Sequence, residues 1–153
     1  MKKLVLLFTL TLLTACNETS KELDADTIVA HAIEAAGGKT IDTALISFKF
    51  RDKFYNADRN NGRFKLERCT DPGCKDTLDQ LTNSDFKRFI NETEVAVADS
   101  LITSLSGGVN SVHYFSVLPY GLNAEAVNKT LLGSEKLKSK DYYKIKVTFN
   151  PDG

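Results

Sequence analysis

Two stretches of alternating apolar and polar residues constrain the fold of this chain most strongly. The first runs from residue 44 to residue 55, and the second from residue 142 to residue 149. Because successive side chains of a β-strand point to opposite faces, a period of two predicts antiparallel strands with one buried and one hydrated face. The predicted apolar faces are Ala44, Ile46, Phe48, Phe50 and Phe54, interrupted by Asp52, and Tyr143, Ile145, Val147 and Phe149.

Other segments predict the elements between these strands. Further strands are predicted over residues 63–68, 76–82, 85–91 and 126–137, with a polar turn over residues 56–62. An N-terminal helix is predicted over residues 27–36, with Asp26 or Thr27 as its cap. Gly37 and Gly38 end this helix, because glycine tolerates the left-handed backbone of a helix C-terminus.

A second helix is predicted over residues 99–118. Its apolar residues recur at helical spacing and include Leu101, Leu105, Val112 and Phe115. Gly107 and Gly108 interrupt it, which predicts either two short helices or one kinked helix. Taken with the strands, the pattern predicts an α+β fold: a curved antiparallel sheet, an incomplete barrel, with one or two helices on its apolar face.

The N-terminus has the features of a bacterial lipoprotein leader. Lys2 and Lys3 precede an apolar run that ends in Leu13-Thr14-Ala15-Cys16, which resembles a lipobox. Residues 1–15 are therefore a predicted signal peptide, Cys16 a predicted lipidation site, residues 16–25 a flexible tether and residues 26–153 the domain. The apolar run is too short to span a bilayer, and the alternative is an ordinary secretory signal in which Cys16 is incidental.

Lipidation would determine where the protein is located and would make a membrane its partner. It predicts a protein of the cell envelope that is held on a membrane by its N-terminal lipid, and Asn17 favours the outer membrane. Without Lys2 and Lys3 the chain keeps 18 basic and 20 acidic residues, so no strong positive field is available to bind nucleic acid.

Cys69 and Cys74 remain as a pair once Cys16 is assigned to lipid. They flank Asp71-Pro72-Gly73, a strong turn sequence, and a disulfide across this turn is predicted for an oxidising compartment. A zinc site would need two more ligands, and the spacing differs from that of a redox pair.

No residue constellation predicts catalysis or a cofactor. His31 and His113 lack metal-ligand spacing, and nucleophile and phosphate-binding motifs are missing, so the prediction is a protein that is not an enzyme. Asp52 is the one carboxylate predicted on an apolar face. The chain closes on Asn150-Pro-Asp-Gly153, a hairpin turn without a returning strand, which predicts a fragment of a longer protein or, alternatively, a frayed natural end.

The large apolar side chains lead to two alternative hypotheses about function. They either fill an ordinary core or line a cavity for a lipid or acyl chain, because aromatic residues serve both purposes. The candidate cavity residues are Phe48, Phe50, Phe64, Leu66, Leu105, Val112, Phe115, Ile145, Val147 and Phe149.

A family resemblance is carried by six segments of the chain: 33–38, 46–50, 89–91, 110–115, 118–122 and 142–149. They resemble uncharacterised lipoproteins of Gram-negative bacteria that are related in fold to LolA/LolB-type lipoprotein carriers. The resemblance implies an incomplete barrel with helices over a hydrophobic concave face, further strands after residue 153 and no catalytic residue. The expected function is binding or carrying an apolar ligand, and the alternatives are a structural or assembly lipoprotein with a filled core and an enzyme of envelope lipids.

Overall fold

A computed structural model describes residues 23–150, and its main element is an open antiparallel sheet in which each strand pairs with the next along the chain. The strands are β1 (Leu45–Phe50), β2 (Lys53–Asn60), β3 (Arg63–Cys69), β4 (Thr77–Thr82), β5 (Phe86–Ile90) and β6 (Thr93–Val95). β1 and β6 are the edges of this curved sheet, which does not close into a barrel. With its helices, the structure confirms the predicted α+β class.

The predicted long strand over residues 44–55 is wrong, because the chain reverses within it. β1 and β2 form a hairpin in which Phe50 pairs with Lys53 across a two-residue loop. Arg51 adopts a left-handed backbone there, with φ 56°. The reversal places Phe48 and Phe50 on one face of the sheet but Phe54 on the other, and Tyr55 takes the buried position instead.

The polar turn predicted over residues 56–62 is shorter than expected. β2 continues to Asn60, and the turn consists of Asn61 and Gly62, both with positive φ. Asn-Gly is the preferred pair for a two-residue hairpin, because both residues tolerate this backbone. The predicted strands over 63–68, 76–82 and 85–91 are confirmed as β3, β4 and β5 within one or two residues.

Within the described residues 23–150, three α-helices accompany the sheet: α1 (Ala25–Ala35), α2 (Gly38–Ile41) and α3 (Asp99–Ser116). The predicted cap of α1 is wrong. Asp24 is the cap, because its carboxylate accepts a hydrogen bond of 2.7 Å from the Thr27 N–H, so the helix begins inside the predicted tether. Gly37, with φ 82°, ends α1 as predicted.

α3 runs through Gly107 and Gly108 as one continuous helix, so the alternative of two short helices is wrong. A Cβ at residue 108 would lie only 2.8 Å from Nη1 of Arg68, whereas nothing lies within 4 Å of a Cβ at residue 107. Gly108 therefore allows the helix to pass close over the Arg68 side chain.

α3 covers one face of the sheet, which we call the inner face. Val109 of this helix packs on Ala57 and Leu66 of the sheet, and all three are buried. The half-buried residues around them are Ile46, Phe64, Leu81 and Phe86. No helix within residues 23–150 is long and apolar enough to cross a membrane.

The chain after α3 forms a separate two-stranded sheet, which we call the β-ribbon. A 3₁₀ helix (Tyr120–Asn123) leads into β7 (Val127–Leu137), which pairs with β8 (Lys140–Phe149). Both strands agree with the predicted segments. Lys129 at the start of the β-ribbon joins it to α1 through an ion pair of 2.9 Å with Asp26.

The predicted disulfide is present between Cys69 and Cys74, with an S–S distance of 2.01 Å. The Asp71 carboxylate organises the loop by accepting hydrogen bonds from the backbone N–H groups of Gly73, Lys75 and Asp76. The lipidation site predicted at Cys16, the signal peptide and the last three residues lie outside the described residues.

Candidate functional site

An open apolar groove lies between β1 and the C-terminal half of α3. Its volume is about 390 Å³, which falls in the range of small-molecule sites, and we call it the phenylalanine groove. The lining residues are Phe48, Phe50, Val112, Phe115 and Ser116. Phe50 and Phe115 are large apolar side chains that remain 46% and 67% exposed, so the groove presents two aromatic surfaces to solvent.

A buried histidine supports the floor of the groove. The rings of Phe48 and Tyr55 stack with centroids 5.2 Å apart, and both meet the His113 ring edge-on at 5.7 and 5.5 Å. Nε2 of His113 lies 3.0 Å from the Glu67 carbonyl oxygen, to which it donates in its neutral form. Burial lowers the pKa of His113 and outweighs the opposing effect of this hydrogen bond, so the ring is neutral at pH 7.

Ser116 is the one polar side chain among the lining residues. Its hydroxyl donates a hydrogen bond of 2.8 Å to the His113 carbonyl oxygen, within the helix. Because that donor is already satisfied, the lining offers an almost entirely apolar surface. Such a surface favours an aliphatic or aromatic ligand over a polar one.

The structure brings together four of the ten predicted cavity residues: Phe48, Phe50, Val112 and Phe115. It places Phe64 and Leu66 in the filled core instead, where Leu66 is only 2% exposed. Leu105, Ile145 and Val147 are half-buried, and none of them is among the lining residues of the groove.

Phe149 lies in a second groove, of about 400 Å³, between α3 and the β-ribbon. Phe115 belongs to both grooves, and the Tyr114 ring meets the Phe149 ring edge-on at 6.1 Å. The Tyr114 hydroxyl is buried without a hydrogen-bond partner among the described residues, and this burial raises its pKa.

A buried charge cluster on the inner face was not predicted. Asp79 of β4 lies directly between Arg68 of β3 and Arg88 of β5 in the strand register. Arg68 donates to its carboxylate at 2.7 Å and Arg88 at 2.6 Å. Burial would raise the pKa of Asp79, but the hydrogen bonds and charges of the two arginines hold it below the ordinary value.

This cluster is structural in character, because two guanidinium groups occupy both carboxylate oxygens of Asp79. Asp52, the carboxylate predicted on an apolar face, lies instead in the exposed hairpin loop and pairs with Lys53 at 3.0 Å. No group of three His, Cys, Asp or Glu side chains within residues 23–150 is placed to hold a metal ion.

Fold and groove together define an α+β protein with an open antiparallel sheet and an apolar groove beside its main helix. The chain belongs to DUF6503, a protein family of unknown function, whose family model matches residues 2–153. No curated protein and no solved structure matches the chain.

Proposed function

We propose that this protein is a lipoprotein of the bacterial cell envelope that binds or carries an apolar ligand, a lipid or an acyl chain, in the phenylalanine groove. The observation that carries the proposal is the exposure of Phe50 and Phe115 in a groove whose lining is almost entirely apolar. Exposed apolar surface costs about 25 cal/mol per Å² relative to buried surface, so an aliphatic chain that covers both rings gains free energy.

The membrane anchor in this proposal comes from the leader sequence and Cys16. Two or three acyl chains would hold the protein on a bilayer, because each buried CH₂ contributes about 0.8 kcal/mol. The resemblance to uncharacterised lipoproteins supports the lipid anchor, and the relation in fold that this resemblance implies to LolA/LolB-type carriers supports an apolar concave site.

Metabolic labelling with radioactive palmitate tests the anchor. The wild-type chain is expected to incorporate label, and the Cys16→Ser variant is expected to lose it. Cys74→Ser is the matched control, because it removes a different cysteine and leaves the lipobox intact. Equal labelling of the Cys16→Ser variant would refute lipidation at this position.

A fluorescent fatty-acid analogue tests the groove. We expect saturable binding that Phe50→Ser weakens by about tenfold, since burying a phenylalanine ring contributes roughly 1.5–3 kcal/mol. Phe149→Ser is the control, because Phe149 is equally large and similarly exposed but lines only the second groove. A stronger loss with Phe149→Ser would place the ligand there instead.

A structural or assembly lipoprotein without a ligand is the second candidate. The filled core around Leu66 and Val109 favours it, because the sheet and α3 already pack without any ligand. The fluorescent analogue separates the two candidates: a protein with a purely structural role is expected to show no saturable binding in the wild-type chain.

A further inference from the structure

Charge is distributed very unevenly along this chain. Residues 127–149, the β-ribbon and its turn, hold six lysines and two acidic residues, a formal charge of +4. Residues 23–126 hold eleven basic and fifteen acidic residues, a formal charge of −4. The balanced charge of the whole sequence therefore conceals a basic element on an acidic domain.

The strand register places three of the six lysines of the β-ribbon on one face. Every second residue of β8 points to the same face, and this face carries Lys140, Tyr142, Lys144 and Lys146. On β7, Leu137 pairs with Lys140 and Glu135 pairs with Tyr142, so both lie on this face too. We call these six residues the lysine face, and all six are exposed. Glu135 is the single acid in this set and pairs with Lys144 at 2.8 Å.

At the base of the β-ribbon, the opposite face is turned toward the domain, whereas nearer the tip both faces are exposed. It carries buried Val127 and half-buried Ile145 and Val147, together with Phe149 of the second groove. Lys129 also lies on that face, where it is nearly buried and holds Asp26 of α1. At the base of the β-ribbon, the lysine face is thus the side that points to solvent.

Apolar side chains lie among these lysines. Leu137 is 60% exposed and Tyr142 is 50% exposed, and both lie near the turn at the tip of the β-ribbon. Lysines on an exposed strand protect it from pairing with other strands, but that role does not require an exposed leucine and tyrosine beside them. Lysine, tyrosine and leucine on one surface are the composition that binds the headgroup region of an anionic bilayer.

We propose that the lysine face docks on the surface of an anionic phospholipid bilayer. The lysines would lie against the phosphate groups, and Tyr142 and Leu137 would enter the interface. The ion pair between Asp26 and Lys129 places the start of α1, nine residues after Cys16, at the base of the β-ribbon. A membrane contact made by this ribbon would fix the orientation of the domain, whatever the phenylalanine groove binds.

Tryptophan fluorescence tests the docking, because the chain contains no tryptophan. The full chain carrying Tyr142→Trp is mixed with vesicles of phosphatidylcholine, or of phosphatidylcholine and phosphatidylglycerol, with bromine on the acyl chains as a quencher. We expect a blue shift and quenching in the anionic vesicles only, and loss of both in high salt. Leu45→Trp is the control, because Leu45 is 80% exposed on β1, an edge strand of the six-stranded sheet and not part of the β-ribbon.

Charge variants in the Tyr142→Trp background test whether binding requires the lysines of the lysine face or only the total positive charge of the protein. Lys140→Gln, Lys144→Gln and Lys146→Gln combined are expected to abolish the blue shift and quenching. Lys49→Gln, Lys65→Gln and Lys87→Gln combined remove the same charge from the outer face of the six-stranded sheet and are expected to change neither. The far-UV circular dichroism spectra of both variants check that the fold persists.

Three results would overturn the proposal. Residue 142 could fail to be quenched in anionic vesicles, or be quenched equally in neutral vesicles. The lysine-face variant could also be quenched as strongly as its control, which would show that these charges make no contact with the bilayer.

Discussion

Asp79 is the centre of the buried charge cluster beneath α3, and its environment explains why it is ionised there. The cluster holds two cations and one anion, and the carboxylate is only 3% exposed. Removing one partner of a buried ion pair leaves the other charges without compensation, which is more costly than losing an exposed pair. Asp79 therefore contributes to stability through the two arginines that it holds.

Asp79→Asn is expected to lower the free energy of unfolding by about 2 kcal/mol, because the neutral amide leaves two half-buried guanidinium groups uncompensated. Urea denaturation measures the change. Asp58→Asn is the control, because Asp58 is exposed on β2, and its free energy of unfolding is expected to stay within about 0.5 kcal/mol of wild type. Equal stability of the two variants would show that the cluster contributes nothing.

His113 predicts a pH dependence of stability. Its pKa in the folded protein is lower than its ordinary value of about 6.5, because the ring is buried. As the pH falls below the ordinary pKa of about 6.5, the unfolded chain takes up a proton before the folded protein does, so the free energy of unfolding decreases. Above about pH 7 both states are neutral at this residue and the effect disappears.

Urea denaturation between pH 7.5 and about pH 5 measures this slope. His113→Phe is expected to flatten it, whatever its effect on absolute stability. His31→Gln is the control, because His31 lies exposed on α1, and it should retain the wild-type slope. Asp79 does not contribute to this slope, because its lowered pKa confines its effect on stability to a more acidic range. A slope that survives in His113→Phe would therefore assign the pH dependence to other groups.

At the scale of elements, α3 determines which apolar side chains are buried and which line a groove. Its central turns lie directly on the sheet through Val109, whereas its C-terminal turns leave space between Phe115 and β1. Gly108 permits the close approach at the centre, where Arg68 lies beneath the helix backbone. Sequence periodicity cannot distinguish these two ends of the helix, because both carry the same apolar stripe.

The two adjacent glycines of α3 provide a matched test of this approach. Gly107→Ala is expected to stabilise the protein by about 0.5–1 kcal/mol, since alanine is the better helix former and the position is open. Gly108→Ala should lose this gain, because Arg68 is held by Asp79 and cannot move away freely. Thermal unfolding compares the variants, and an equal rise in Tm would contradict the proposed close packing.

Local patterns predicted most of the strands because alternation is a property of a few neighbouring residues. They failed at the β1–β2 hairpin, where Arg51 and Asp52 form the loop without the asparagine or glycine that usually marks such a turn. Alternation continues across the loop, so the reversal left no signal in the residue pattern.

The candidate site was predictable only where a local residue pattern determines the position of a side chain. Phe48, Phe50, Val112 and Phe115 were predicted from periodicity, because it identifies the face on which each side chain lies. Phe64 and Leu66 lie on the same inner face, but the position of α3 buries them, and that position depends on distant contacts. The Asp79 cluster depends on the register of three strands, which no local pattern contains.

At the scale of the whole molecule, the fold separates two surfaces. The phenylalanine groove lies at one end of the helix–sheet contact and is apolar, whereas the lysine face of the β-ribbon is basic and exposed. An acyl-chain ligand and a membrane surface would therefore contact different parts of the protein. This separation lets each proposal be tested by variants that leave the other surface unchanged.

Native mass spectrometry of the full chain purified from bacterial cells tests whether the phenylalanine groove holds an apolar ligand. We predict a bound mass that organic extraction removes, distinct from any covalent lipid, and that Phe50→Ser loses. Leu45→Ser, on the same strand but the opposite face, should retain this mass. A wild-type protein that carries no extractable mass and takes up no fatty acid when offered one would contradict ligand binding in this groove.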